Sequence, residues 1–188
     1  MRHLVGVVFL LLAAPALASD AALSGAEGHP RARLPLALHM TSFGDAALDA
    51  AASRAVDDWN SVAREALGVP VFARVDAKAG AQVAVETLAP DARGLMGFAT
   101  VEVGADGVIT LPVRVVVHEP SARGQTSRET ILYQVLAHEL GHALGLGHAT
   151  VPDAVMSEEY RRAATSAAAP RIQPSDLELL RSRCPDLR

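Results

Sequence analysis

The sequence lacks several features on which small proteins often rely. Cys184 is the one cysteine in 188 residues, so an intrachain disulfide is excluded. Aromatic residues make up only 4% of the chain, and the Lys and Arg residues form no cluster. Together with a formal net charge of −4, this argues against a nucleic-acid partner. The fold must therefore be stabilised mainly by its hydrophobic core, for which a chain of this length suffices as one domain.

The N-terminus has the composition of a secretory signal peptide. A short basic start precedes an apolar run over residues 4–14. Small residues then occupy the −3 and −1 positions of a cleavage site after Ala18. The run is shorter than the ~20 residues that span a bilayer, and no later segment could span one. We therefore expect a signal peptide at 1–18, a flexible leader at 19–33, and a secreted or periplasmic mature protein without membrane contact.

Apolar periodicity predicts three helices. The first covers 45–67, where apolar residues recur at helical spacing before a glycine and a proline. Thr126 and Glu129 have the spacing of a capping box, which begins a second helix that ends near Leu144. A third helix begins at Ser175, again with a capping-box glutamate.

Apolar and β-branched runs between the helices predict the strands of one mixed, twisted sheet. The fold class is therefore α+β, with a single domain over 34–188. Gly104 to Gly107 separate the last two strands and give a strong hairpin signal, and Pro112 indicates a bulge or an edge in the second of them. The predicted strands cover 34–40, 71–75, 82–88, 95–103 and 108–117.

The second helix carries the residues whose spacing suits catalysis. His138 and His142 are one turn apart, so both imidazoles point the same way and can bind one metal ion. Glu139 is rotated from them by about 100°, which places it to contact a water on the metal rather than the metal itself. Gly145 permits a sharp reversal after the helix, and His148 follows as a third ligand. The complete run is H-E-x-x-H-x-x-G-x-x-H.

This run resembles the zinc signature of the metzincin metallopeptidases. The stretch from His148 to Met156, and Tyr160 beyond it, is similar to the matrixins, the matrix-metalloproteinase branch. The resemblance implies a zincin-type catalytic domain with a long active-site helix, a methionine-containing turn (Met-turn) at Met156 beneath the metal, and a C-terminal helix. It also implies a pocket lined by Tyr160 and an extended substrate that pairs with an edge strand. The pocket residues expected at that strand are Gly94, Leu95, Met96 and Gly97.

The sequence also departs from the matrixin pattern. Ala149 stands where matrixins usually carry Ser, and Glu158 stands where a proline helps to wall the substrate pocket. The histidines that hold a second, structural zinc in matrixins have no counterparts here, and the sequence makes no prediction about calcium. Substrate preference is therefore not carried over from the family.

Together these features predict a zinc metalloendopeptidase, a hydrolase with one catalytic Zn²⁺. His138, His142 and His148 would hold the ion, and Glu139 would act as general base. The substrate would be a protein or a peptide, and we expect a monomer. The alternative is a catalytically silent zinc- or peptide-binding module on the same scaffold, but the presence of the base favours the enzyme.

Other polar residues receive structural interpretations. His29, His39 and His118 have no partner at ligand spacing and are interpreted as surface or strand residues. Asp153 either braces the Met-turn or is a plain loop acid. Cys184 lies on the apolar stripe of the final helix, where we expect a buried thiol.

Overall fold

A computed structural model describes Leu23, residues 26–92, 94–150 and 154–157, and Ile172, Asp176 and Leu180. Its elements, in chain order, are a short 3-10 helix at Arg31–Arg33, β1 at Leu36–Met40, α1 at Ala46–Leu67, β2 at Phe72–Arg74, β3 at Val83–Leu88, β4 at Gly97–Thr100, β5 at Val113–His118 and α2 at Arg128–Ala143. Asp176 and Leu180 are also helical, where a third helix was predicted. The rest of that helix, including Cys184, lies outside the described residues.

The strands form one mixed sheet in the order β2-β1-β3-β5-β4. The first four strands in this order run parallel, with Leu38 opposite Val83 and Val85 opposite Val115. Strand β4 runs antiparallel to β5 and lies at one edge of the described sheet, with β2 at the other. With helices packed against it, this sheet confirms the predicted α+β class. No helix in the described part of the chain has the length and apolarity that crossing a membrane requires.

The predicted hairpin between the last two strands is present. Gly104 N–H donates to the carbonyl of Val108 at 2.9 Å, and Val103 forms an antiparallel bridge with Ile109. Pro112, however, lies immediately before β5, which begins at the next residue because proline has no N–H to donate to a ladder. The interpretation of this strand as an edge is wrong, since β5 lies between β3 and β4.

Helix α1 begins and ends where the sequence predicts. Asp45 is its N-cap, and the carboxylate accepts hydrogen bonds from the N–H groups of Ala47 at 2.8 Å and Leu48 at 3.3 Å. Gly68 ends the helix at φ 73°, a left-handed conformation that glycine adopts without a Cβ clash. The bounds and the glycine end were predicted because these signals are local; the capping role of Asp45 was not predicted.

Helix α2 begins at a different cap from the one predicted. Ser127, not Thr126, accepts a hydrogen bond from the N–H of Thr130, at 3.2 Å. Thr126 instead exchanges backbone hydrogen bonds with Arg123 at 3.0 and 3.1 Å, so it belongs to the preceding turn. The helix ends at Ala143 with Leu144 as C-cap, which agrees with the predicted end.

In the described part of the chain, one hydrophobic core joins α1 and α2 to the sheet. Helix α2 packs against α1, β4 and β5, and every residue from 131 to 143 is buried. The fully buried Trp59 of α1 donates its indole N–H to the carbonyl of Ala137 at 2.8 Å, which ties the two helices together at mid-length. The polar residues on α2 are therefore held in the protein interior, where they require partners.

The predicted leader contacts the domain where it is described. Gly28 forms a parallel bridge with Val108. The side chain of His29 is only 5% exposed. Its interpretation as a surface or strand residue is therefore wrong, because it packs between the hairpin and the end of α2 rather than facing solvent. Whether residues 19–33 are flexible as a whole stays a prediction.

Candidate metal centre

Three imidazole rings meet at the C-terminal half of α2. The Nε2 atoms of His138 and His142 are 3.1 Å apart, and those of His138 and His148 are 3.3 Å apart. The ring centroids lie 4.7, 5.2 and 4.9 Å from one another. His138 and His142 are buried and His148 is half-buried. The structure thus brings together the three histidines that the sequence predicts as ligands.

Hydrogen bonds to backbone carbonyls fix the tautomers of two of these rings. The Nδ1 atom of His138 donates to the carbonyl of Val155, and that of His142 donates to the carbonyl of Leu146, each at 2.8 Å. Because a carbonyl only accepts, the proton is on Nδ1 and the lone pair is on Nε2 in both rings. Such carbonyl partners are typical of metal-binding histidines, which they orient.

These nitrogens fit a zinc ion. Two lone pairs 3.1 Å apart cannot form a hydrogen bond with each other, so the contact between His138 and His142 needs a cation to be favourable. Nitrogens at 2.0–2.1 Å from a tetrahedral zinc are about 3.3–3.4 Å apart. The observed separations of 3.1 and 3.3 Å are close to that value. The donor set therefore suits tetrahedral zinc with one further position.

A glycine bend brings the third histidine back to the helix. Gly145 has a φ of 91°, in the left-handed region that favours glycine. The next N–H, that of Leu146, donates to the carbonyl of Gly141 at 3.0 Å, which folds the chain back along α2. His148 follows two residues later and reaches the other two rings.

Glu139 lies beside the edge strand rather than among the ligands. Its side chain is 2% exposed. A Cβ added at Gly97 would lie 3.2 Å from Glu139 Cγ, 2.6 Å from Val135 Cγ1 and 2.9 Å from the carbonyl oxygen of Val116. The absence of a side chain at Gly97 therefore lets the backbone of β4 pass directly over Glu139.

Met156 is fully buried in a turn beneath the histidines. It packs on Gly141, where an added Cβ would lie 3.0 Å from Met156 Cε and closer still to its sulfur. The carbonyl of Met156 accepts a hydrogen bond from the N–H of Ala149 at 2.8 Å. The turn is thus attached both to the helix of the first two histidines and to the residue after the third.

The carboxylate that anchors this turn was not predicted from the sequence. The fully buried Asp176 accepts hydrogen bonds from the N–H groups of Val155 at 3.2 Å and Met156 at 3.3 Å. Its position next to Ser175, at the start of a predicted helix, gave no sign of this long-range contact. Asp153, which was considered for the same task, lies outside the described residues.

Of the five residues predicted for the substrate pocket, four are described, and they lie at the start of β4 or immediately before it. Gly94, Leu95 and Met96 line a cavity between the segment before β4 and the first half of α2, where Leu132 and Val135 contribute. Gly97 follows them as the first residue of β4. Tyr160 and Glu158 lie outside the described residues. The contribution of these residues to substrate binding stays a prediction.

The site has the arrangement of the metzincin class of zinc metallopeptidases: two histidines one turn apart on a helix, a third beyond a glycine bend, and a methionine turn beneath. The chain belongs to the matrixin family, whose model (Peptidase_M10) matches residues 36–182. This confirms the resemblance found in the sequence, and the match spans the sheet, both helices and the metal centre. No curated protein matches the chain. Matrixins bind zinc, and membership supports a metalloprotease that acts on protein.

Proposed function

We propose that this chain is a zinc-dependent endopeptidase that hydrolyses peptide bonds in an extended substrate. The observation that supports this best is the meeting of three imidazoles whose Nε2 atoms lie 3.1 and 3.3 Å apart. His138, His142 and His148 would hold one zinc ion and leave one position open, as catalytic zinc sites do and structural sites do not.

Glu139 is the general base in this proposal. A bound zinc ion supplies a Lewis acid that polarises the substrate carbonyl and lowers the pKa of water to about 7. Glu139 accepts the proton of the attacking water and then donates it to the departing amine. A C–O bond forms, the C–N bond breaks, and no covalent intermediate with the protein arises. Burial of Glu139 on the ligand helix supports this role, because it limits competing water.

The edge strand β4 is the proposed binding site for the substrate backbone. Among the described strands it pairs with β5 alone, so its other edge can accept an extended peptide by strand addition. At Gly97 the strand passes directly over Glu139. A peptide paired with β4 would therefore place a carbonyl close to both the base and the three histidines.

Replacement of the base tests this function. Glu139→Gln should retain zinc, because the three imidazoles are unchanged, and should lower kcat/KM on a denatured protein by roughly 10²–10⁴-fold. Glu129→Gln makes the same change of charge at the other end of α2 and should keep full activity. Zinc content is measured by atomic absorption. Cleavage of the denatured protein is assayed separately, with and without a chelator.

The same experiment separates the enzyme from the silent binding module. A module of that kind would bind zinc and show no chelator-sensitive cleavage in the wild-type chain. Equal cleavage by the wild-type chain and Glu139→Gln would remove Glu139 from the mechanism. Loss of zinc from Glu139→Gln would show instead that this carboxylate supports the metal.

We further propose that the protein acts outside the cytoplasm, either in a periplasm or beyond the cell. The proposal rests on residues 1–18, which lie outside the described residues but have the three parts of a signal peptide. N-terminal sequencing of the exported protein should begin at Ser19. Recovery of the chain with residues 1–18 still attached would contradict it.

A further inference from the structure

The segment at residues 27–33, here called the N-terminal clamp, lies against the glycine bend of the metal centre. A Cβ added at Gly145 would lie 2.6 Å from the carbonyl oxygen of Glu27 and 3.0 Å from the Cα of Gly28. The two backbones are therefore in direct contact, without a side chain between them. Because Gly145 also needs its left-handed φ of 91°, the bend is restricted from both sides.

His29 attaches the clamp to the end of α2. Its Nε2 lies 2.9 Å from the carbonyl oxygen of Ala143, the last residue of the helix and the neighbour of His142. Since a carbonyl only accepts, Nε2 is the donor in this bond. The last carbonyls of a helix have no partner within the helix, so a buried donor at this point is stabilising.

The other side of the clamp is attached to the hairpin. The N–H of Gly28 donates to the carbonyl of Gly107 at 3.2 Å, and the N–H of Ile109 donates to the carbonyl of Gly28 at 3.0 Å. The guanidinium of Arg33 donates to the carbonyl of Ile109 at 2.7 Å and lies 3.4 Å from Nδ1 of His29. The clamp therefore connects the hairpin to the helix end across a large separation in sequence.

The bend that the clamp contacts decides where the third histidine lies. His148 is three residues beyond Gly145, and the carbonyl of Leu146 between them orients His142 at 2.8 Å. A shift of this short loop would separate His148 from the other two rings and also release the partner of His142. Zinc affinity falls in proportion to the fraction of chains in which the loop has the binding conformation.

We propose that the N-terminal clamp is a positioning element for zinc, with His29 as its positioning residue, which holds residues 145–148 in the conformation that binds the metal. This rests on the proposed function in one respect, that the three imidazoles hold zinc. Neither family membership nor the spacing of the zinc signature predicts it, because His29 lies outside both.

Zinc affinity of His29 variants tests the positioning role. His29→Ala should raise the zinc dissociation constant about 10–100-fold, the usual effect of losing a group that orients a metal ligand, because release of the loop would free the carbonyl of Leu146 that orients His142. His29→Gln, whose amide can still donate to the carbonyl of Ala143, should recover most of the affinity. Affinity is measured by competition with a chromophoric chelator, and at saturating zinc the kcat of each variant should return close to the wild-type value.

His39→Ala is the matched control. His39 lies on strand β1, and its Nδ1 is within hydrogen-bond distance of a backbone carbonyl, that of Val75 at 3.3 Å. The substitution therefore removes a comparable histidine away from the metal centre. Its zinc dissociation constant should stay within about twofold of the wild-type value, well below the change of at least about tenfold expected for His29→Ala. Urea unfolding of the metal-free proteins checks that each variant folds. If His29→Ala does not fold, Arg33→Met replaces it in the experiment and should also weaken zinc binding.

Two results would overturn the inference, and they are distinguishable. If His29→Ala lowers the stability of the metal-free protein but leaves the zinc dissociation constant unchanged, the clamp braces the fold and does not position the metal. If the wild-type chain and His39→Ala both bind no zinc, the proposed metal centre itself is wrong, and the clamp has no ion to position.

Discussion

Gly141→Ala tests how closely the ligand helix, the Met-turn and α1 are packed beneath the histidines. A Cβ at this position would lie 3.0 Å from Met156 Cε, closer still to the sulfur, and 3.2 Å from Trp59 Cζ2. Carbon atoms in good contact are about 3.5–4.0 Å apart. Both neighbours are fully buried, so neither can move into solvent to relieve the contact.

Two effects of this substitution oppose each other. Alanine favours a helix over glycine by about 1 kcal/mol. An extra methyl group in a well-packed core costs about 1–3 kcal/mol. Because several atoms would be too close at once, we expect the packing cost to exceed the helix gain. The free energy of unfolding should therefore fall by about 1 kcal/mol, the difference between these two magnitudes.

Urea unfolding of the metal-free protein measures this change, and a second background isolates its cause. In Met156→Ala the two closest crowding atoms, the sulfur and Cε of Met156, are gone, and Trp59 Cζ2 at 3.2 Å needs to move by only a few tenths of an ångström. Gly141→Ala should there raise the free energy of unfolding by about 1 kcal/mol. The change of sign corresponds to a coupling of about 2 kcal/mol, within the range for residues in contact. An effect of the same sign and size in both backgrounds would refute the packing argument.

Three further perturbations have defined outcomes. Gly97→Ala should push β4 away from α2 and lower kcat/KM by up to about 10²-fold with zinc content unchanged. Thr100→Ala, on the same strand, should leave kcat/KM unchanged, and loss of zinc from Gly97→Ala would contradict this account. Trp59→Phe removes the second donor to the carbonyl of Ala137, which keeps its helical bond from the N–H of Gly141. The free energy of unfolding should fall by about 0.5–1.5 kcal/mol, the net contribution of one hydrogen bond; an unchanged urea midpoint would show that the bond is dispensable. Burial lowers the pKa of His29 below its ordinary value, and the Arg33 guanidinium lowers it further, against the hydrogen bond to Ala143. As pH falls below 6.5, His29 in the unfolded chain therefore takes up a proton that His29 in the folded chain does not. The free energy of unfolding of the metal-free wild type should then fall more steeply with decreasing pH than that of His29→Gln. Parallel profiles of the free energy of unfolding against pH would contradict a neutral, buried His29.

The sequence was most informative where structure depends on neighbouring residues. The first helix was predicted with its bounds and its glycine end, because the apolar spacing and the glycine lie within or next to the helix. The three histidines were predicted as one cluster because two share a helix turn and a short glycine bend returns the third. The hairpin was predicted from its turn residues for the same reason.

Contacts between distant segments were not predictable from spacing. His29 is 114 residues from Ala143, to whose carbonyl it donates. Asp176 is 20 and 21 residues from Met156 and Val155, whose N–H groups donate hydrogen bonds to its carboxylate. No periodicity links such positions. The cap of α2 was missed for a different reason: adjacent Thr126 and Ser127 both offer a hydroxyl, and the backbone pairing of Thr126 with Arg123 decides between them.

X-ray absorption spectroscopy of the purified protein at the zinc edge tests the central claim most directly, together with the measured ratio of zinc to protein. We predict one zinc per chain, with three imidazole nitrogens at about 2.0–2.1 Å and one oxygen in the fourth position. His148→Ala should lose one imidazole from that spectrum. Zinc well below one per chain, or an unchanged spectrum in His148→Ala, would contradict a centre made of His138, His142 and His148.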